Sequence, residues 1–361
     1  MHMGLFFAKP DFSRVPSRVY GHGPCVLVGA MASRPAALTG FNFTKAALAQ
    51  MGERVEIKGH MDKPTPAHIP PGTAGDVQVL VTTGSVGASD ALMTALPRLS
   101  LICCYGTGYE RIDIAAARKR NIMVTHGADA NAPDVAEMAF GILLASTRRI
   151  VRADKMIRRG EWTKRIPNRF GPIAGLTGGK VGILGLGAIG MEFVKRARGF
   201  DVEIGYCNRN RRSDVDFRYF PNVMELATWC DYLIVCLRSD SSNRHIINKD
   251  VLAALGPRGH LVNISRGWAV NEADLAEALR NNAIEGAALD VFDEEPYEGQ
   301  ELLPLENLVM TPHFGGGTAH AQQRMTSLVC QNIDNHLAAK PVVSPLPELR
   351  DLAANNVGRL R

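Results

Sequence analysis

The segment Lys180-Val181-Gly182-Ile183-Leu184-Gly185-Leu186-Gly187-Ala188-Ile189-Gly190 constrains this chain more than any other. A short apolar strand that passes through three spaced glycines into a helical pattern over 189–198 leaves backbone N–H groups free at the positive end of a helix. Gly185 permits the tight turn, Gly187 lets a diphosphate approach the backbone, and Gly190 allows the helix to pack closely on the strand. A chain with 35 glycines produces such triplets by chance, so the strand before and the helix after decide the reading. Further on, apolar runs at 202–206, 232–237, 261–264 and 287–291 alternate with helical patterns at 223–228, 249–255 and 272–281. That order predicts a doubly wound parallel sheet of the dinucleotide-binding kind, six-stranded and complete before about residue 314.

A second alternation precedes it. Short apolar runs at 24–29, 77–82, 99–105 and 121–125 are separated by helical patterns at 44–51, 89–96 and 114–119. The second run stops at Thr83-Gly84-Ser85-Val86-Gly87 and the third at Gly106-Thr107-Gly108. Since 361 residues exceed one ordinary core, two Rossmann-like doubly wound domains are expected, the first flavodoxin-like. Ala132-Pro133-Asp134 opens a long apolar-periodic helix that continues past Arg159 and links the two. A last helical pattern at 318–340 returns to the first domain and makes it discontinuous. The expected division is an N-terminal extension at 1–24, a substrate-binding domain at 25–125 and 317–345, a dinucleotide-binding domain at 126–316, and a tail at 346–361. The Pro-rich stretch beyond Pro341 reads as irregularly packed or unpacked.

The formal charge of +5 is spread without a lysine and arginine block long enough for a nucleic-acid arm, so anionic small molecules are the expected partners. Arg148-Arg149 and Arg158-Arg159 read as a solvated helix face. Seven cysteines include no C-x-x-C pair and no histidine at metal spacing, so neither a metal site nor a disulfide framework is expected. Reduced, cytoplasmic surroundings follow. The apolar patch Leu5-Phe6-Phe7-Ala8 is too short for a signal peptide, and no apolar run approaches membrane-spanning length.

The end of the strand at 202–206 bears on which dinucleotide binds. A carboxylate there would hydrogen-bond the adenosine ribose and repel a 2′-phosphate. The chain instead has Asn208, followed by Arg209, Asn210, Arg211 and Arg212, which suits NADP(H) better than NAD(H). Beyond the loop, three residues have chemistry that fits hydride transfer to a carbonyl. Arg266, just past a strand end in Ser265-Arg266-Gly267, can hold a carboxylate and polarise the neighbouring carbonyl oxygen. His313, in Thr311-Pro312-His313-Phe314-Gly315, can donate to a developing alkoxide. A carboxylate such as Glu295 beside it would fix its tautomer and favour the protonated form.

Taken together, Gly106-Thr107-Gly108-Tyr109-Glu110-Arg111-Ile112-Asp113, Asp134-Val135-Ala136-Glu137, the glycine loop, Ser265-Arg266-Gly267, Asp290-Val291-Phe292-Asp293-Glu294-Glu295-Pro296 and Pro312-His313 resemble the D-isomer-specific 2-hydroxyacid dehydrogenases over roughly residues 25–340. Within that family the chain is most similar to the NADPH-dependent glyoxylate and hydroxypyruvate reductases. The resemblance implies that Arg266 binds and polarises a 2-oxo acid, that His313 is the acid/base and that Glu295 pairs with it. It places Asp290 on the nicotinamide carboxamide, and the backbone of Gly84, Thr107 and Gly108 on the substrate carboxylate. Ala188, Ile189, Leu237, Ile264 and Gly315 become further cofactor contacts, and a homodimer is implied. Thr107 stands where valine or alanine is common, which leaves substrate size open. A competing expectation is a dinucleotide-sensing interaction protein, because some relatives are transcriptional corepressors.

Overall fold

The computed structural model describes residues 34–162, 172–238 and 241–355. The strand expected at 24–29 and the N-terminal extension lie outside them. The described chain builds two parallel sheets, each covered by helices on both faces.

The first sheet has the order β2-β1-β3-β4-β5, from β1 (Ala36–Thr39), β2 (Glu56–His60), β3 (Val77–Thr82), β4 (Leu101–Cys104) and β5 (Met123–Thr125). That is the flavodoxin-like arrangement. Its crossovers are α1 (Lys45–Gly52), α2 (Asp90–Ala95) and α3 (Ile114–Lys119), which begin at Thr44, Ser89 and Asp113. Each cap side chain accepts a first-turn N–H, the arrangement that makes these residue types good helix starts. The central strands are buried on both faces, and their side chains alternate between two cores. Leu101 and Cys103 face one core with Met51 of α1, and Ile102 and Cys104 face the other. The adjacent cysteines therefore point to opposite sides of the sheet as small buried hydrophobes.

Two helices follow β5: α4 (Ala132–Thr147) and α5 (Ile150–Arg158). One continuous helix past Arg159 was expected. The helix breaks because Arg149 takes a left-handed conformation (φ 52°) and pairs with Glu285. No glycine or proline marks that break, so periodicity alone could not show it.

The second sheet is built from β6 (Lys180–Leu184), β7 (Glu203–Cys207), β8 (Arg218–Phe220), β9 (Tyr232–Val235), β10 (His260–Asn263), β11 (Gly286–Leu289) and β12 (Leu308–Met310). Its order, β12-β11-β10-β9-β6-β7-β8, places the topological switch between β6 and β9, where such sheets open a ligand crevice. It has seven strands where six were expected, with three-residue strands at both edges. Its helices are α6 (Ala188–Ala197), α7 (Val223–Trp229), α8 (Lys249–Leu255) and α9 (Glu272–Arg280), and α4 packs against α6, β10 and β11.

From the second sheet the chain returns through α10 (Ala319–Leu337), which packs on α1 and β4 of the first. The segment after Pro341 packs against the first sheet with little regular structure up to Leu349. Ser344 and Leu346 hydrogen-bond residues 124–126 at the end of β5, Leu346 and Leu349 are buried in the first sheet's core, and α11 (Arg350–Asn355) follows. Apolar residues spaced among prolines carry no periodic signal, yet here they cover one face of the sheet. Among the described residues, no helix is long and apolar enough to cross a membrane, and no cluster of metal-ligating side chains forms.

Candidate active site

The C-terminal ends of β6, β9 and β10 face the C-terminal end of β4 across a cleft of about 870 Å³. Gly185, Leu186, Gly187, Ala188, Ile189, Asn208, Arg209, Leu237, Ile264 and Arg266 line it from the second sheet, and Thr107, Gly108 and Glu110 from the first.

The three loop glycines differ physically. Gly185 has φ 96°, and a Cβ there would come within 2.5 Å of Leu237 Cα, so both backbone and space exclude a side chain. A Cβ at Gly190 would meet the Gly185 carbonyl oxygen at 3.0 Å and Ile183 Cγ2 at 3.1 Å, because here α6 packs against β6. A Cβ at Gly187 would meet nothing within 4 Å, and as the α6 N-cap this residue brings no side chain to the first-turn N–H groups. Space and exposed donors thus coincide at one helix end, which fits the diphosphate of a dinucleotide.

The strand-end residues divide the work differently from the sequence expectation. Asn208 Oδ1 accepts the Leu186 N–H at 2.6 Å and its Nδ2 donates to the Leu186 carbonyl at 3.4 Å, so this carboxamide clamps the glycine loop. Arg212 donates to the same carbonyl and pairs with Asp214. Arg209 lines the cleft, and Arg211 is exposed on the same loop without lining it.

Arg266 owes its position to buried Asn263. Asn263 Oδ1 accepts from the Ser265 hydroxyl and N–H, and Nδ2 donates to the Arg266 carbonyl at 2.9 Å. Gly267 then lets the turn press against the backbone of Phe292 and Asp293, which brings the arginine segment onto the glutamate segment. The guanidinium itself is not idle. Nε lies 2.9 Å from Glu110 Oε1, and Nη1 donates to the Ser265 carbonyl at 2.7 Å.

His313 Nδ1 lies 2.6 Å from Glu295 Oε2, while Glu295 Oε1 accepts the Phe292 N–H at 3.1 Å. Burial pushes the Glu295 carboxyl up, but the hydrogen bond and charge of His313, the Phe292 N–H and the nearby Arg266 charge together hold it below its ordinary value. An ionised Glu295 only accepts, so the proton between them sits on Nδ1 and the histidine's Nε2 is turned to its other surroundings. His313 has φ 49°, uncommon for a side-chain-bearing residue. Asp290 braces that turn: one oxygen takes the Thr311 hydroxyl at 2.6 Å and the Phe314 N–H at 3.2 Å, the other the Gly315 N–H at 2.9 Å. Asp290 and Gly315, expected at the cofactor, thus sit together behind the histidine, with the carboxylate buried and committed to the turn. The Thr107 hydroxyl is likewise committed to protein partners, 2.8 Å from the Ala128 carbonyl and 2.9 Å from Asn131 Oδ1.

Sequence reasoning assigned no role to Glu110, Arg238 or Glu348. Arg238 lies 4.2 Å over the Tyr109 ring and 3.0 Å from Glu348, whose carboxylate also accepts from the Tyr109 hydroxyl. The tail therefore contributes a carboxylate to the rim of the cleft.

A dinucleotide crevice beside an arginine and a carboxylate-paired imidazole equips a dehydrogenase for carbonyls that neighbour a carboxylate. Residues 140–315 match the family model described as the NAD-binding domain of the D-isomer-specific 2-hydroxyacid dehydrogenases, and the chain belongs to that family of oxidoreductases. It is 37% identical over 276 residues to hydroxyphenylpyruvate reductase of Plectranthus scutellarioides, covering 76% of this chain and 86% of the relative. It is 37% identical over 270 residues to glyoxylate/hydroxypyruvate reductase A of Arabidopsis thaliana, covering 75% and 85%. Among solved structures it is similar to the NADPH-dependent glyoxylate/hydroxypyruvate reductase of Sinorhizobium meliloti in complex with NADP and malonate. That match has TM-score 0.80 and 32% identity and covers 88% of this chain and 98% of the other.

Proposed function

We propose that this dehydrogenase uses NADPH to reduce a short 2-oxo acid of the glyoxylate or hydroxypyruvate kind to its D-2-hydroxy acid, and catalyses the reverse oxidation. The observation that carries the proposal is the His313–Glu295 pair, whose carboxylate feels the charge of Arg266, while Arg266 itself lines a crevice with a glycine loop open at Gly187. When bound, the reduced dinucleotide supplies the hydride taken up at C2 of the oxo acid. Arg266, with the backbone of Gly84, Thr107 and Gly108, holds the substrate carboxylate and polarises the adjacent carbonyl. His313 delivers a proton from Nε2 to the carbonyl oxygen as negative charge develops there, and Glu295 stabilises the imidazolium and keeps Nδ1 as the bonded nitrogen. Asp290 and Asn263 position the two catalytic turns.

The residues 185–190, with Arg209 and Arg211 beside Asn208, Leu237 and Ile264, are assigned to the dinucleotide. Three observations favour the phosphorylated form: no carboxylate ends β7, Arg209 lines the crevice, and the similar Sinorhizobium meliloti enzyme is NADPH-dependent. We assign substrate binding to the first sheet with α10 and dinucleotide binding to the second, with domain closure excluding water. A cytoplasmic homodimer completes the reading. The apolar face that α5 leaves exposed, through Ile150, Val151 and Ile157, is its candidate contact, to be checked by light scattering of the purified chain.

Initial rates with NADPH and NADH against glyoxylate, hydroxypyruvate, pyruvate and hydroxyphenylpyruvate test the substrate and cofactor together. Higher kcat/KM for glyoxylate and hydroxypyruvate, with NADPH, is expected. A preference for hydroxyphenylpyruvate, or for NADH, would overturn the corresponding half.

A further inference from the structure

A carboxylate of the protein itself lies on Arg266. Glu110 comes from the loop after β4 and Arg266 from the turn after β10, so their ion pair crosses the cleft between the two sheets. The contact is two-pronged, with Nε 2.9 Å from Oε1 and Nη2 3.4 Å from Oε2. Glu110 keeps only 15% of its side-chain exposure and Arg266 28%. The same carboxylate lies against the two glycines assigned to the substrate carboxylate. A Cβ at Gly84 would come 2.9 Å from Oε2, and one at Gly108 would come 2.7 Å from both oxygens. Arginine edge and bare glycine backbone thus enclose room for one carboxylate, and Glu110 fills it.

We propose that Glu110 is an internal stand-in for the substrate carboxylate, which occupies Arg266 in the free enzyme and must be displaced before a 2-oxo acid binds. The proposal rests on the assignment of Arg266, Gly84 and Gly108 to the substrate carboxylate. Two consequences follow. Apparent substrate affinity is lowered by the fraction of molecules in which Glu110 holds the arginine. A tethered carboxylate also has a high effective concentration, so a ligand that offers only a carboxylate competes poorly. One that also presents the adjacent carbonyl gains further donors and wins. Glu110 is therefore a specificity residue that rejects plain carboxylates such as acetate and admits 2-oxo acids.

The test is calorimetric binding of oxamate and of acetate to wild type, Glu110→Gln, Glu110→Asp and Arg266→Gln, each loaded with NADPH, with NADPH affinity measured as the check on folding. Glu110→Gln removes the charge at constant shape, and Glu110→Asp keeps the charge but shortens the reach. Both should tighten oxamate about tenfold, as expected once the competing side chain no longer holds the guanidinium, by lost charge in one variant and lost reach in the other. Both should also bring acetate binding into the measurable range and lower KM for glyoxylate. Unchanged or weaker oxamate binding in both variants would show that Glu110 merely orients Arg266, and would overturn the proposal. Tightening in Glu110→Gln alone would assign the effect to charge rather than occupancy and would also overturn it. Arg266→Gln separates the two layers: if it binds oxamate as well as wild type, the assignment of the carboxylate site fails, whatever Glu110 does.

Discussion

Glu295 shows how much one side chain settles at the residue scale. Its two oxygens hold different things, the His313 ring and the Phe292 N–H, so it fixes both the histidine's tautomer and the turn the histidine faces. Because its folded pKa is depressed, its contribution to stability is complete above the ordinary carboxylate value near 4.5 and is lost as pH falls through the lower folded value. Glu295→Gln should lower kcat about 10- to 100-fold while NADPH affinity stays within about twofold, because it removes the charge that supports an imidazolium but touches no dinucleotide contact. Steady-state rates with fluorescence titration of NADPH read both. The pairing of Glu295 with His313 was legible in sequence, since both carry distinctive chemistry in ordered motifs. The direction of hydrogen bonds was not. Asn208 was rightly placed at the strand end, but its engagement with Leu186, like that of Asp290 with the His313 turn, depends on chain segments that only the fold brings together.

At the scale of elements, strand, loop and helix at 180–197 combine two kinds of glycine, and they should separate under mutation. Gly185→Ala forces a side chain into left-handed backbone and against Leu237, and should destabilise the protein by about 2 kcal/mol or more. Gly187→Ala meets no protein atom and has φ −98°, so its melting temperature should stay near wild type while NADPH binding weakens about tenfold or more. Thermal melts and calorimetric titration of both variants distinguish the effects. Equal loss of stability in the two would contradict the division. Most helices and central strands were legible because apolar period and cap residues agree, as in α8, which starts at Asn248. The elements that escaped have physical reasons. Ala36-Ala37-Leu38-Thr39 has helix-favouring composition and becomes a strand because it is buried on both faces. Glu56–His60 is a polar edge strand, β8 and β12 span three residues each, and the α4–α5 break depends on the Arg149–Glu285 pair.

For the whole molecule, the cores bury groups that must stay neutral, and this sets its acid limit. His260, buried at the start of β10 beside Ser146, is pushed by burial from 6.5 to about 4. Burial also lowers His126 and His336. For each, the unfolded chain binds a proton that the folded chain refuses, so stability is full above about pH 6.5 and falls on acidification toward the folded pKa. For His260 this amounts to about 3 kcal/mol across the window. Urea unfolding between about pH 7 and pH 5 should show stability falling as pH drops, and His260→Gln should reduce the slope by up to about 1.4 kcal/mol per pH unit. A slope unchanged by His260→Gln would show that His260 is not the group responsible.

In the proposed reaction the glycine loop after β6, Arg266 after β10 and the His313–Glu295 pair converge on one substrate. Stopped-flow measurement of NADPH absorbance in a single turnover with glyoxylate, comparing wild type with His313→Gln, tests that convergence directly. Wild type should consume NADPH rapidly, and the variant should lose about 10²- to 10⁴-fold in rate while its NADPH affinity stays within about twofold of wild type. Turnover retained in His313→Gln, or bound NADPH that wild type never oxidises with any short 2-oxo acid, would contradict it.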